Sequence, residues 1–293
     1  MEQINSSKPS RYIDILSDFG FKYIFGSEPN KDLLIHFLNE VFGGEKHIND
    51  IQYSKNEFHG ETEQEGVVVF DLLCTGENDE KFLIEVQRAN QKYFVKRSVS
   101  YVSRLISEQI PKGNRRNWQY DIKDVYFIAI LENFSVEGNN NNLYLHTANL
   151  RYCENNKVYY NGIKFIFIEL RNFAKDITEL NSDLDNWLYV LKNMSRLDKM
   201  PLYLKKSVFQ KLFQISEYSN LPKEEKTMYN LNIRHKWDYN NTIQYAEEKG
   251  MEKGMEKIIG NMICKSQMTD AEIAEIAGVE ISLVEDIRKH VQE

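Results

Sequence analysis

Cysteine is scarce in this sequence, and its few residues form no motif. Cys74, Cys153 and Cys264 are far apart, odd in number and without C-x-x-C spacing. Structural zinc sites use closely spaced cysteine or histidine pairs, and disulfide frameworks use an even, dense set of cysteines. We therefore expect a protein of the reducing cytoplasm that has no structural zinc.

Long apolar runs are absent as well. No stretch approaches the ~18 consecutive apolar residues that a transmembrane helix needs. The first residues, MEQINSSKPSRY, contain no apolar core of a signal peptide. Neither secretion nor a membrane partner is expected.

The chain also lacks an excess of basic residues. Its 293 residues include 37 Lys and Arg but 44 Asp and Glu, which gives a formal net charge of −7. A protein that binds many phosphates without preference needs a basic face, so any contact with nucleic acid has to be a local patch. The content of 42% hydrophobic and 12% aromatic residues is that of a globular chain with a sizeable core.

A strong hairpin pattern is present at 67–87, VVVFDLLCTGENDEKFLIEVQ. Two runs rich in Val, Phe, Leu and Ile flank a Gly/Asn/Asp cluster, which predicts two strands joined by a turn. If Asp71 in the first run lies opposite Glu85 in the second, the turn is centred on Asn78, where the loop composition also places it. Cross-strand partners lie roughly 5 Å apart and side chains alternate along a strand, so Asp71, Glu85 and Gln87 are expected to converge.

The two acids of this hairpin suggest a metal site. Carboxylates on apolar strands repel each other and lose hydration unless a cation lies between them. Oxygen ligands with no nearby His or Cys favour Mg²⁺ or Mn²⁺ over zinc. The alternative is a hairpin with one polar face, on which Asp71 and Glu85 are solvated or paired with Lys or Arg. The spacing alone does not decide between these interpretations.

The same residues carry a family resemblance. Asp71, thirteen intervening residues and then Glu85-Val86-Gln87 are similar to the D…(D/E)-x-K signature of PD-(D/E)XK nucleases, with Gln87 at the Lys position. The segments DFGFKYIFG at 18–26 and FDLLC at 70–74 strengthen the likeness. Together they resemble the bacterial PD-(D/E)XK family of transposases, also known as recombination-promoting nucleases, from about Asp14 to the C terminus.

The resemblance implies an α/β fold with a restriction-endonuclease-like core, in which helices flank a mixed central sheet, and with a helical C-terminal region. Hydrophobic periodicity predicts the same order of helix, three antiparallel strands, helix and strand. The helices are predicted at 32–42 and 90–110, and the strands at 51–59, within 67–87, and at 124–131, 143–150 and 163–170. The nearly continuous apolar run at 124–131 is typical of a strand buried on both faces.

We divide the chain into four segments. They are a nuclease-like core at 11–175, a helical extension at 176–240, a charged helical connector at 241–267 and a small helix-turn-helix-like module at 268–293. The module starts with a capping box, Thr269 to Glu272, and turns at Gly278. Its second helix begins with the acidic sequence EISLVED, where a DNA reader carries Arg, Lys, Asn or Gln. We interpret it as a packing module.

The activity that the resemblance implies is Mg²⁺-dependent or Mn²⁺-dependent hydrolysis of DNA phosphodiesters, linked to DNA recombination and mobility. Asp71 and Glu85 would hold the ion. An acid from the first helix sometimes joins the metal site of this fold, which makes Asp18 and Glu40 further candidates. The alternatives are that Asp18 is a helix N-cap and that Glu40 is a solvated surface acid.

The missing Lys of the signature raises a second function. Gln87 can orient a water through its amide but cannot take its proton, so Lys22 or Lys96 is the candidate for that role. Lys96 and Arg97 lie on the first turns after the strand and are candidates for binding phosphate, unless this helix face is only solvated. The rival is a nuclease-fold protein that cuts weakly or not at all and serves as a nucleic-acid-binding or protein-interaction module. The sequence excludes neither RNA as a partner nor a homo-oligomer.

Overall fold

A computed structural model of the protein describes residues 10–55, 57–58, 68–111, 119–136 and 143–292. Residues 56, 59 and 67, which belong to the predicted first strand and hairpin, lie outside the described residues, as does residue 293 of the predicted C-terminal module.

The described residues form helices and strands that alternate in the first half of the chain and give way to helices in the second. The strands are β1 (Ile51–Tyr53), β2 (Glu57–Phe58), β3 (Val68–Val69), β4 (Leu72–Gly76), β5 (Lys81–Gln87), β6 (Val125–Leu131), β7 (Leu145–Arg151) and β8 (Val158–Glu169). The helices are α1 (Asp18–Phe25), α2 (Lys31–Phe42), α3 (Phe94–Ser107), α4 (Asp183–Asn193), α5 (Ser207–Ser216), α6 (Lys223–Lys265), α7 (Asp270–Ala277) and α8 (Ile281–Gln292).

A mixed sheet of six strands forms the centre of the fold, in the order β1-β4-β5-β6-β8-β7. β1, β4 and β5 are antiparallel, β5, β6 and β8 are parallel, and β7 returns antiparallel to β8. The predicted mixed sheet flanked by helices is therefore confirmed, and so is the order helix, three antiparallel strands, helix and strand.

The hairpin has the predicted register. Leu72 pairs with Ile84 and Thr75 with Lys81, so the turn is centred on Asn78. β4 begins one residue after Asp71, and extending the register places Asp71 opposite Glu85. The sequence prediction holds here because the turn composition and the alternation of side chains are both local properties of the chain.

The strand predicted at 51–59 is wrong in its length. β1 ends at Tyr53, and β2 pairs with β3 in a separate two-stranded sheet. The polar residues Ser54 and Lys55 follow β1 and are poor strand formers, so the ladder with β4 stops there.

Both faces of the sheet are covered in the first half of the chain. All seven residues of β6 are buried, as the apolar run predicted. On one face, α3 packs through Phe94, Val102 and Leu105. On the other face, Phe42 of α2 contacts Tyr126 of β6 at 5.1 Å between ring centroids. Leu83 and Phe127 pair across β5 and β6 and belong to the core beneath α3. Because side chains alternate, Glu85 and Gln87 face α3 as well.

Helix α1 begins at an unusually close contact with the preceding chain. Ser17 is its N-cap, with Oγ accepting a hydrogen bond from the Gly20 N–H at 3.0 Å, so the interpretation of Asp18 as the N-cap is wrong. Asp18 is the first helical residue and is exposed. A Cβ at Gly20 would lie 2.1 Å from the Asp14 carbonyl oxygen, so only glycine fits at this point.

Helices α4 and α5 pack behind α2 and complete this core. Trp187 of α4 is fully buried, with Phe37 of α2 at 5.6 Å and Phe209 of α5 at 5.1 Å between ring centroids. These two helices, which belong to the predicted helical extension, therefore fill a core.

The chain divides into two compact units, Met1–Asn230 and Leu231–Glu293, and the division falls within α6. In the second unit, α6, α7 and α8 enclose a small apolar core of Ile259, Ile263, Ile273, Ala274 and Val284. The predicted capping box is present, since Thr269 and Glu272 exchange side-chain to backbone hydrogen bonds, and Gly278 has the positive φ of 65° that ends α7. The boundaries of the four predicted segments stay a prediction. None of the described helices combines the length and the apolar character that a bilayer crossing requires.

We predict opposite effects for two glycine-to-alanine substitutions in helices. Gly20→Ala should destabilise the protein by about 2 kcal/mol, because the new methyl group collides with the Asp14 backbone. Gly254→Ala in α6 meets nothing within 4 Å and should stabilise its helix by up to about 1 kcal/mol. Denaturant unfolding of the two variants checks this, and a neutral Gly20→Ala would contradict the close contact.

Candidate active site

The two acids of the hairpin meet at the end of β5. The Asp71 N–H donates to Glu85 Oε1 at 3.2 Å, and the Val86 N–H donates to Asp71 Oδ2 at 2.8 Å. Each acid is thus held by the backbone of the opposite strand. The prediction that they lie opposite each other agrees with this geometry.

Glu85 is buried and Asp71 is half-buried, and neither is paired with a cation in the part of the chain that the structure describes. Glu85 is 3% exposed, and its burial, reinforced by the charge of Asp71, raises its pKa to about 8. Burial also raises the pKa of Asp71, while the bond from the Val86 N–H and the charge of Lys22 oppose the rise. Within the described residues, neither acid forms a hydrogen-bonded ion pair with Lys or Arg. Glu85 is therefore not solvated, and no basic side chain among the described residues is bonded to it.

Asp18 reaches the same place from α1. A cavity of about 120 Å³ is lined by Asp18, Asp71, Val86, Arg88, Leu16 and Phe21. The Asp18 carboxylate is bound to the Lys22 ammonium at 2.6 Å, one helical turn away. Lys22 lowers the pKa of Asp71 and Asp18 raises it, so both charges act on the acid pair. The structure brings these two predicted residues together with Asp71.

Arg97 acts on the acids from α3. Its guanidinium lies 5.8 Å from the ring centroids of both Phe94 and Tyr101, and its charge lowers the pKa of Asp71 and of Glu85. Arg97 Nη1 also donates a hydrogen bond to Gln91. This residue is therefore placed where a phosphate beside the acids would find a cation.

Lys96 points elsewhere. Its ammonium lies 5.7 Å from the ring centroid of Tyr93, and its side chain lines a separate, larger cavity near the start of α3. Consecutive helix residues are rotated by about 100°, which explains why Lys96 and Arg97 face different surroundings. Of the two lysines proposed to replace the missing one, only Lys22 influences Asp71.

Gln87 lies beside Glu85 on the face of the sheet covered by α3. Its Nε2 donates to Glu85 Oε2 at 3.4 Å, a long hydrogen bond that helps to hold the charged form of the acid. An amide in this position can orient a water or a carboxylate, but it neither carries a charge nor transfers a proton.

Arg88 is a site residue that the sequence pattern did not reveal. Its Nε donates to the Leu16 carbonyl at 2.7 Å and its Nη2 to Asp14 Oδ2 at 2.9 Å. Glu132 lies 3.6 Å from Nε. These contacts hold the start of α1 against the end of β5, so that Asp18 and Asp71 line one cavity. The sequence feature that could have indicated this role is a long basic side chain one residue beyond the strand that carries Glu85 and Gln87.

Glu40 belongs to a different cluster. With His36 and Asp183 it forms the one group of three potential metal ligands found in the described part of the chain, with ligand atoms within 4.8 Å of one another. The Trp187 indole can only donate, so His36 Nδ1 accepts its hydrogen bond at 2.9 Å, and Nε2 carries the proton of the neutral ring. Lys206 is bound to Asp183. Neither nitrogen then offers a free lone pair, and one acid is already neutralised.

The acid pair at the end of β5 fits a divalent cation better. Its donors are carboxylate oxygens, which suit Mg²⁺ and Mn²⁺. Burial and the charge of Asp71 raise the pKa of Glu85, and a bound cation would offset the cost of burying the charged acids and their mutual repulsion.

One family model matches this chain. The PD-(D/E)XK nuclease family transposase model covers residues 15–246, which confirms the resemblance over that range and leaves residues 247–293 outside it. No curated protein and no solved structure matches the sequence.

We predict that the burial of Glu85 makes stability fall with rising pH when no divalent metal is present. Between pH 4.5 and about 8 the unfolded chain loses a proton that folded Glu85 keeps, so the unfolded state is favoured as pH rises through this window. Glu85→Gln removes this loss of stability. Above pH 8 the free energy of unfolding of the variant should therefore exceed that of the wild type, by on the order of 1.4 kcal/mol for each unit of pKa shift. Urea unfolding in EDTA at pH 5 and pH 9 measures it.

The control is Glu154→Gln, which changes an exposed acid of the β7–β8 turn. It should leave the pH dependence of the wild type unaltered. A Glu85→Gln variant with the same pH dependence as the wild type would show that Glu85 ionises in the folded protein as it does in water.

Proposed function

Because this chain belongs to the PD-(D/E)XK nuclease family transposases, we propose that it is a Mg²⁺-dependent or Mn²⁺-dependent endonuclease that hydrolyses DNA phosphodiester bonds during recombination or DNA movement. The observation that carries the proposal is the pair of buried Glu85 and half-buried Asp71, each held by the backbone of the other strand and neither bonded to Lys or Arg among the described residues.

Asp71 and Glu85 would hold the ion, with Asp18 as a third acid once Lys22 releases it. A divalent cation bound there lowers the pKa of water and offsets the negative charge of the scissile phosphate. The backbone bonds fix the direction of each carboxylate before substrate arrives, which limits the reorganisation needed for catalysis.

Two cations of this chain are placed to act on the phosphate. Arg97 is held between aromatic rings near both acids, and its planar fork suits phosphate oxygens. Lys22 supplies an ammonium from α1 and is the residue that we propose in the role of the missing signature lysine. DNA is the proposed partner, bound at a local basic patch because the chain as a whole is acidic.

A second candidate function follows from Gln87. The position that carries the signature lysine holds an uncharged amide bonded to Glu85. A protein that keeps the fold and the acids but lacks this cation can bind nucleic acid or another protein without cutting. RNA and a homo-oligomer are compatible with either function.

We predict that Asp71→Asn and Glu85→Gln each abolish metal-dependent nicking of plasmid DNA. Substitutions of groups that only support a metal ligand cost about 10-fold to 100-fold, so loss of a ligand should exceed 100-fold. Both variants should stay folded, because the amides keep an oxygen for the backbone donors. Calorimetry of Mn²⁺ binding gives the second readout, and equal binding by wild type and Asp71→Asn would refute the metal assignment.

We predict that Gln87→Lys raises single-turnover nicking, by up to about 100-fold, because an ammonium beside Glu85 stabilises charge that develops on the phosphate. Gln87→Met, of similar length but without charge, is the matched control and should not raise it. Lys22→Ala should impair the wild type if Lys22 already supplies this charge.

The outcomes separate the two functions. A fall in nicking by Gln87→Lys together with a damaging Lys22→Ala would assign the cationic role to Lys22. If wild type, Gln87→Lys, Gln87→Met and Lys22→Ala are all folded but leave DNA and RNA uncut with Mg²⁺ and with Mn²⁺, the nuclease function is refuted and the binding module is favoured.

A further inference from the structure

An exposed tyrosine flanked by lysines lies close in sequence to the acid pair. Tyr93 immediately precedes α3 and is 59% exposed, although most aromatic side chains of this unit are buried. The ammonium groups of Lys92 and Lys96 lie 5.5 and 5.7 Å from its ring centroid. A large aromatic ring left in water and surrounded by cations is a surface suited to an anionic ligand that has a flat apolar part.

The ring borders a cavity large enough for such a ligand. Its volume is about 540 Å³, and its lining includes Tyr93, Phe134 and Val136 as apolar groups and Asn90, Gln91 and Ser135 as polar groups. Lys92 and Lys96 also line it. The cavity thus combines a stacking surface, hydrogen-bonding groups and two positive charges.

This cavity is connected to the acid pair through Arg97. Gln91, which lines the cavity, accepts a hydrogen bond from Arg97, and the charge of Arg97 acts on both Asp71 and Glu85. Only Arg88 and Ala89 separate Gln87 from Asn90. If Arg97 binds a phosphate of a nucleic-acid strand, the nucleotide next to that phosphate would therefore lie at the cavity.

We propose that Tyr93, Lys92 and Lys96 form a stacking site for an unpaired nucleotide of the substrate strand. The base lies on the Tyr93 ring, and the two ammonium groups move from the ring to the flanking phosphates. A base inside a duplex has both faces covered by its neighbours, so only an unstacked nucleotide can use the ring. This deepens the proposed function by assigning it a substrate with a single-stranded or distorted segment.

The test measures binding and needs no cleavage. The full chain in EDTA is titrated against fluorescein-labelled oligothymidylate and against a duplex of equal length, with anisotropy as the readout. Tyr93→Leu should weaken binding of the single strand by about fivefold or more, since one stacked base contributes at least that much. Duplex binding should stay unchanged. Tyr93→Trp should retain wild-type affinity, and Tyr159→Leu, an exposed tyrosine at the other end of the sheet on β8, is the control.

A second readout locates the base directly. Irradiation of 5-iodouracil in the oligonucleotide should crosslink it to the peptide that contains Tyr93. Equal affinity of wild type and Tyr93→Leu for the single strand, or an equal loss on single strand and duplex, would overturn the proposal. Displacement of the oligonucleotide by polyglutamate at similar concentration would also overturn it, because the cavity would then take acidic chains in general.

Failure of this inference differs from failure of the nuclease function. If the protein nicks DNA with metal but its single-strand binding does not depend on Tyr93, the stacking site is refuted and the nuclease function is supported. If single-strand binding depends on Tyr93 but no nicking is detected, the stacking site is supported and the nuclease function is refuted.

Discussion

The burial of two facing carboxylates is the constraint on which the rest of the site depends. Glu85 is enclosed by the sheet and α3, and Asp71 lies opposite it across the hairpin. Such a pair is costly when both groups are charged, and burial together with the charge of Asp71 raises the pKa of Glu85. Backbone donors, Arg97 and Lys22 each offset part of it. In the proposed function, a divalent cation offsets the remainder.

An acidic chain can still engage a polyanion if its cations are concentrated in one place. The first turn of α3 and the residues just before it carry Lys92, Lys96 and Arg97, and they follow directly on the strand that bears Glu85. The charge of Arg97 acts on Asp71 and Glu85. The ammonium groups of Lys92 and Lys96 lie beside the Tyr93 ring. In the proposed function, Arg97 therefore supplies charge at the acid pair, while Lys92, Tyr93 and Lys96 contact the neighbouring part of the strand.

The His36, Glu40 and Asp183 cluster shows why spacing of potential ligands is not enough to define a metal site. Its atoms are close together, but the Trp187 indole uses one lone pair of the imidazole and Lys206 is bound to one carboxylate. A metal would have to displace bonds that already satisfy these groups. The acid pair at β5 has no such competing cation among the described residues, and that difference separates the two clusters.

The hairpin register, the buried strand β6, the capping box at Thr269 and the family could all be predicted from the sequence, because alternation, turn composition and motif spacing are properties of neighbouring residues. The packing of the chain decides that Ser17 rather than Asp18 caps α1, and which cations act on the acids. Lys22 and Arg97 act there because the packing of the fold brings α1 and α3 beside the acid pair. Arg88 joins the same cavity through its bonds to Leu16 and Asp14. Contacts between distant segments depend on that packing, and no local pattern in the chain encodes it.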